Sequence, residues 1–434
     1  RRVRAAGLRA YQLLQQYANG EVVSGVVEFN QLQIEEKTVE MDVDHINRRL
    51  GTALTQEDIE DILRRLQFDY EVTDGHFTVT IPTRRGDISI FEDMLEEVAR
   101  IYGYDRLPFT LPANSSRPGG LTAQQVLTRQ MKRLLQGMGL TEAITYSLTN
   151  QTFAKTLLSP EISAKSYQPI ELSMPMSEDH QFLRLSLLPE LLKTVAYNHA
   201  RKETNIALYE IGSVFLTEES VLTKQPHEQK RLSGVLTGLW TENHWQHHDK
   251  KVDFYVVKGI VDELFKFIEL PVTYKQAKLA DMHPGRCAEL YVGDEVIGFI
   301  GQVHPALAKE LDLKETYVFD LNFEYLLEHA ALEPTYHAVP KYPSVMRDIA
   351  FIVDEAVHAG DIQKVIQEVG SELVTSVDIF DVYQGDHLEA GKKSVAYRLH
   401  FQHQERTLTD EEVDELYDKI VSQVNEQFGA YVRS

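Results

Sequence analysis

The last hundred residues restrict the fold more than any other part of this 434-residue chain. After the proline-marked stretch "EPTYHAVPKYP" come a strand-like "MRDIAFIV", a helical "AGDIQKVIQEVG" and a strand-like "VTSVDIFDVYQ". A turn "EAGKK", a strand-like "SVAYRLHFQ", a helical "TDEEVDELYDKIVSQVNEQFG" and a short "AYVR" complete the run. The order βαββαβ predicts a split βαβ, ferredoxin-like domain over 335–434, with one sheet face under helices and the other open. On "SVAYRLHFQ" the alternation sends Val395, Tyr397, Leu399 and Phe401 to one side, Arg398 and His400 to the other.

A second proline cluster, Pro108, Pro112, Pro118 and "ANSSRPGG", marks a linker further upstream. Before it, residues 38–111 read helix, helix, hairpin, helix. Thr55 and Asp58 have capping-box spacing, and Asp74-Gly75 between alternating runs is a hairpin signal. Between the two linkers, 113–334 mixes long helices ("TAQQVLTRQMKRLLQGMG", "SLLPELLKTVAYNHAR") with strands ("IALYEIGSVFL", "RLSGVLTGLW", "AELYVGDEVIGFIGQV", "TYVFDLNFEYLL") without strict alternation. That predicts an α+β domain on an antiparallel sheet, without a Gly-rich phosphate loop. The fold class is therefore multi-domain α+β, and residues 1–37 read as the end of something upstream.

Composition narrows the partners. One cysteine, Cys287, excludes an internal disulfide and a cysteine-based zinc cage, and suits a reducing, cytoplasmic setting. No apolar run approaches the roughly 20 residues that span a bilayer, so no membrane is expected. A formal charge of −22 excludes a whole-surface nucleic-acid footprint, so any RNA contact is local.

"GDISIFEDMLEEVARIYGYD" gathers four carboxylates. Helical spacing puts Asp93, Glu96 and Glu97 in one polar sector, opposite Phe91, Met94, Leu95, Val98, Ile101 and Tyr102, with Asp87 in the entry turn and Gly103 closing the helix. Like charges at this spacing repel, so a partner is expected unless the face is simply solvated. Either a hard cation such as Mg²⁺ or Arg100 on the same face fills that role.

Several long motifs in one order resemble the C-terminal half of bacterial phenylalanyl-tRNA synthetase beta subunits: "PTRRGDISIFEDMLEEVARIYGYDRLP", "LRLSLLPELLKTVAYN", "ALYEIGSVF", "MHPGRCAELYVGDEVIGFIGQVHP" and "PKYPSVMRDIAFIVDE". The resemblance implies a remnant of an upstream editing-type domain over 1–37 and a winged-helix-like B5 domain over 38–112. It implies a non-catalytic core similar to class II synthetases over 113–334, and a ferredoxin-fold anticodon-binding domain over 335–434. Asp87, Asp93, Glu96 and Glu97 match the family's ligands to a Mg²⁺ shared with the alpha subunit. Amino-acid activation with ATP falls to that subunit in an α₂β₂ assembly acting on tRNA(Phe), so no catalytic residue is expected here.

In the core, "LYEIGSVF" keeps Glu210 and "LRLSLL" keeps an arginine, but no glycine-rich segment ending in arginine lies between 280 and 330. Gly285 and Arg286 of "HPGR" read as a structural turn. His244, His247 and His248 have spacing open to zinc, in a polar stretch that reads as a loop. In the last domain Arg347, Lys392, Lys393 and Arg398 are the expected tRNA contacts. Nine Lys and Arg against eighteen Asp and Glu over 335–434 oppose that, unless the acids of "TDEEVDELYD" face away from the sheet. The competing readings are a free-standing nucleic-acid or protein adaptor, and an independent Mg²⁺-dependent enzyme built on the 86–97 carboxylates.

Overall fold

The computed structural model describes residues 2–31, 37–110, 119–242, 245, 248–331, 335, 336, 338–385 and 388–433. The chain divides into two compact units, Arg1–Gly119 and Gly120–Ser434.

The first unit begins with helix α1 (Arg2–Ala18), which has no buried residue among its described side chains. Strand β1 (Lys37–Asp42) leads into α2 (Val43–Leu50) and α3 (Gln56–Leu66). The Thr55–Asp58 capping box forms, satisfying two of the orphan amides that open α3. Strands β2 (Asp69–Thr73) and β3 (His76–Ile81) pair around Asp74 and Gly75, both at positive φ as a tight hairpin turn requires. The sheet order β1-β3-β2 beside two helices is a winged-helix arrangement. Helix α4 (Phe91–Tyr102) packs Met94 and Val98 against Ile46, Ile59, Leu63, Phe77 and Val79. Gly103 ends it at φ +110, ψ 118, outside the left-handed helical region expected of the closing glycine.

The second unit opens with α5 (Ala123–Gly137), the short β4 (Thr141–Glu142) and α6 (Leu188–His199), followed by β5 (Ile206–Leu216) and β6 (His227–Thr237). Then come α7 (Phe254–Phe267), β7 (Thr273–Gln276), β8 (Met282–Val292), β9 (Glu295–Val303) and β10 (Thr316–Asn322). These strands form one seven-stranded sheet, ordered β7-β8-β9-β10-β6-β5-β4, in which only the β4–β5 pair is parallel. Alternation splits its side chains between two cores. Phe319 and Leu321 join Leu127, Met131, Val257 and Leu264 on one face, while Val318 and Val235 join Leu191, Leu192 and Val195 on the other. Each such buried side chain contributes about 1.5–3 kcal/mol, which is why both helical layers hold to the sheet. The β6–β10 register sets Gly234 opposite Phe319, whose ring lies where a Cβ at 234 would stand, 2.1 Å from the ring carbon. "HPGR" is not a turn: it lies within β8, where the pairing with β9 is irregular between Met282 and Cys287.

The final element set is β11 (Val345–Asp354), α8 (Ala359–Gly370), β12 (Val374–Tyr383), β13 (Lys392–Phe401), α9 (Asp410–Phe428) and β14 (Tyr431–Val432), the expected βαββαβ. The antiparallel sheet runs β12-β13-β11-β14. Val395, Tyr397, Leu399 and Phe401 are buried with Ile362 and Ile366 of α8 and Val413, Ile420 and Val424 of α9. Arg398 stays exposed on the other side, as the alternation on this strand predicts.

Candidate functional site

The acidic segment is held by arginine. Arg84 donates to the carbonyls of Leu66 and Gln67 at the end of α3, which fixes the turn before α4. Arg85, next in sequence, faces the carboxylates. Its Nε and Nη2 contact Asp87 at 3.0 and 2.6 Å, and its Nη1 reaches Glu97 Oε2 at 2.6 Å. Arg100 Nη2 meets the same Glu97 oxygen at 2.7 Å. Glu97 is only 5% exposed, so it does not belong to the outward polar sector that helical spacing alone assigns it. Charge-assisted bonds from two guanidiniums make that burial tolerable.

Asp93 accepts from the backbone N–H of Ser89 and Ile90 at 2.7 and 3.0 Å and so caps its own helix, while Glu96 is exposed. The Arg85 guanidinium holds the Glu97 carboxyl down at about 2, with Arg100 adding to it against the opposite pull of burial. Asp87 is lowered by Arg85, and Asp93 by the amides it accepts. Arg100, one of the two partners weighed for this face, bonds Glu97, and Arg85 joins it.

Oxygen donors of this kind suit a hard cation. In this chain alone they are neutralised by arginine, and among the described residues no group of three or more His, Cys, Asp or Glu is arranged to hold a metal ion. Of the three histidines near 244–248, His244 and His247 lie outside the described residues.

Two further arginines sit inside the large sheet domain. Arg184 of "LRLSLL" lies 3.0 Å from Glu210 Oε1 and donates to Thr145 Oγ1, Tyr146 O and Ser213 O. Thr145 in turn donates to Glu210 Oε2 at 2.6 Å. Arg231, wholly buried on β6, contacts Asp320 at 2.5 Å and Glu161 at 2.6 Å, and Ser233 donates to the same Asp320. Burial works against the Arg231 charge, but Asp320 and Glu161 outweigh it and keep the guanidinium protonated. Sequence reasoning picked out Glu210 and the "LRLSLL" arginine but missed Arg231, which follows the polar run "HEQK" on its strand and so reads as exposed. Arg286 bonds outward, to Glu315 at 2.8 Å and Gln302 at 2.9 Å. No guanidinium of these three is without a partner.

In the ferredoxin-like domain the four expected contacts separate. Arg398 grips Asp348 through two bonds of 2.8 and 2.7 Å on the open sheet face, and Lys392 pairs there with Asp354 at 2.8 Å. Arg347 shares its face with Leu399 and reaches Asp410 and Asp414 of α9 at 3.4 and 3.6 Å, on the helical side. Lys393 donates to Glu355 O, and burial pulls its pKa down.

Comparison with known proteins defines the class first. A tRNA synthetase B5 domain model matches residues 39–104, and a ferredoxin-fold anticodon binding domain model matches 340–433, so the chain is assembled from tRNA-synthetase modules. Half of it, residues 107–323, matches the model of the phenylalanyl tRNA synthetase beta chain CLM domain. The chain belongs to the phenylalanyl-tRNA synthetase beta-chain family. Among its relatives is the phenylalanine–tRNA ligase beta subunit of Oceanobacillus iheyensis, 51% identical over all of this chain and 54% of that protein. That of Geobacillus kaustophilus is 49% identical, over all of this chain and 53% of that protein. The chain thus spans about half the length of the relatives it matches. A solved pyrrolysyl-tRNA synthetase from Desulfitobacterium hafniense aligns with 46% of this chain and 66% of its own, at a TM-score of 0.33 and 15% identity, too low to bear on the argument. Among the described residues no helix is long and apolar enough to cross a membrane.

Proposed function

We propose that this chain works as the scaffold and tRNA-recognition half of a phenylalanine–tRNA ligase, docking a catalytic alpha subunit in an α₂β₂ cytoplasmic enzyme that consumes ATP and charges tRNA(Phe). The observation that carries the division of labour is the state of the core arginines. A triphosphate needs fixed positive charge that is free to meet it. Arg184 and Arg231 are instead buried against Glu210, Asp320 and Glu161, so the sheet retains its packing while its cations are spent internally.

The three-module division at 38–112, 113–334 and 335–434 belongs to this reading. Open-face Arg398 and Lys392 are its tRNA contacts, with Arg347 and Lys393 at the margins. Magnesium belongs to the same reading as an ion shared with the alpha subunit, with Asp87, Asp93, Glu96 and Glu97 as this chain's donors. Glu96, exposed, and Asp93, whose Oδ2 takes the capping bonds and whose Oδ1 takes none among the described residues, are the oxygens that favour it. Mg²⁺ titrated into the chain alone then gives no binding heat. The two-chain complex gives heat that Glu96→Gln abolishes.

Co-expression with a bacterial phenylalanyl-tRNA synthetase alpha subunit tests the assembly: the two chains elute together in gel filtration and retain tRNA(Phe). Separate elution, with retained binding to unrelated nucleic acid, would instead favour a free-standing adaptor.

A further inference from the structure

The "HPGR" segment stands where β8 leaves its regular pairing with β9, between Met282 and Cys287. Its irregular course is tied by Gly285 N–H, which donates to His283 Nδ1 at 3.1 Å. Arg286, at its end, is fixed from one corner only. Nη1 donates to Glu315 Oε1 at 2.8 Å, Gln302 Oε1 at 2.9 Å and Tyr317 OH at 3.3 Å. Nε and Nη2 make no bond among the described residues, so the edge of the guanidinium that presents two parallel N–H groups is unused. That edge matches a pair of anionic oxygens.

Arg286 lines a cleft of about 440 Å³, within the size range of small-molecule sites. Lys309, in the last turn of the short helix Pro305–Glu310, and Lys314, just before β10, line it too. Both lysines are exposed, and among the described residues neither forms an ion pair. Of the two acids in the lining, Glu315 is already engaged by Arg286 and by the Tyr317 hydroxyl, which leaves Asp312 as the acid that opposes an anion. Val303, Ala308 and Leu313 supply an apolar wall. The cleft lies at the Thr316 end of β10, whereas Arg231 pairs with Asn322 at the other end, so these cations are not among those spent inside the core. A carboxylate would use both its oxygens on the arginine edge. A phosphate ester has three free oxygens, enough for that edge and for the lysines.

We propose that this cleft binds a small phosphate monoester. The Nε–Nη2 edge of Arg286 takes two phosphate oxygens, the Lys309 and Lys314 ammoniums balance the remaining charge, and Val303, Ala308 and Leu313 meet the organic group. The inference goes beyond the scaffold and tRNA-recognition reading and does not depend on it.

Isothermal titration calorimetry on the full chain tests it, with phenyl phosphate, inorganic phosphate, benzoate and sulfate as probes and the variants Lys309→Gln, Lys314→Gln and Arg286→Lys. Phenyl phosphate binds more tightly than inorganic phosphate, which lacks the organic group, and than benzoate, which lacks the third oxygen. Each lysine variant alters an exposed side chain outside the core and weakens phenyl phosphate about tenfold, the loss expected for one hydrogen bond to a charged group. Arg286→Lys keeps the charge, loses the two-pronged edge and weakens it at least as much. No heat with the wild-type chain, or unchanged affinity in both lysine variants, overturns the proposal. Equal heat from phenyl phosphate and sulfate in every variant means an adventitious ion only and overturns it as well. Binding of an RNA duplex that the lysine variants weaken, with no heat from phenyl phosphate, overturns it in favour of a nucleic-acid backbone contact.

Discussion

Arg85 Nη1 lies 2.6 Å from Glu97 Oε2, so a residue of the entry turn neutralises a carboxylate buried twelve positions later in α4. Removing the arginine leaves Glu97 charged, buried and held by Arg100 alone. Arg85→Met is expected to cost the first unit about 3 kcal/mol, the lower range for breaking such a pair, measured by urea unfolding.

The same pair sets an acid limit. The folded Glu97 pKa, about 2, lies below its ordinary 4.5, so its stabilisation is complete above pH 4.5 and is lost as pH falls from there toward 2. The urea midpoint of the wild-type chain should drop across that window. In Arg85→Met the part of the drop due to Glu97 should shrink.

Arg231 makes the corresponding test in the large domain. With side-chain exposure of 0% beside Asp320 at 2%, Arg231→Met strands a buried carboxylate and should cost about 3–5 kcal/mol. Adding Asp320→Asn to that variant should recover part of the loss, because the stranded charge disappears.

Gly234→Ala should cost about 1–3 kcal/mol, since the new methyl meets the Phe319 ring that the β6–β10 register sets opposite it. A double variant Gly234→Ala, Phe319→Leu should restore most of it by removing the ring.

Cys287 is buried, and burial pushes its thiol up to about 12. At pH 8 it should react with an aromatic disulfide reagent only as fast as the domain unfolds, and rapidly in denaturant.

Much of this architecture was legible because its cause is local. The Thr55–Asp58 box, the Asp74-Gly75 hairpin and the alternation through Val395, Tyr397 and Leu399 depend on residues near each other in sequence, and all three form. What escaped depends on long-range pairing. Arg231 meets Asp320 across 89 positions, and no periodicity announces that contact. Arg85 takes Glu97 out of the polar sector that helical spacing gives it. Arg347 shares the helical side with Asp410; the alternation through Ile349, Phe351 and Val353 on its own strand already points there, but the pairing with α9 is long-range.

The central claim is that this chain supports catalysis without performing it. Phenylalanine-dependent ATP–pyrophosphate exchange, run on this chain alone, on the alpha subunit alone and on the co-expressed pair, tests it most directly. The account predicts no exchange by this chain alone and full exchange by the pair, unaffected by Arg184→Lys beyond its effect on folding. Exchange by this chain alone, abolished by Arg184→Lys in a folded protein, would contradict it.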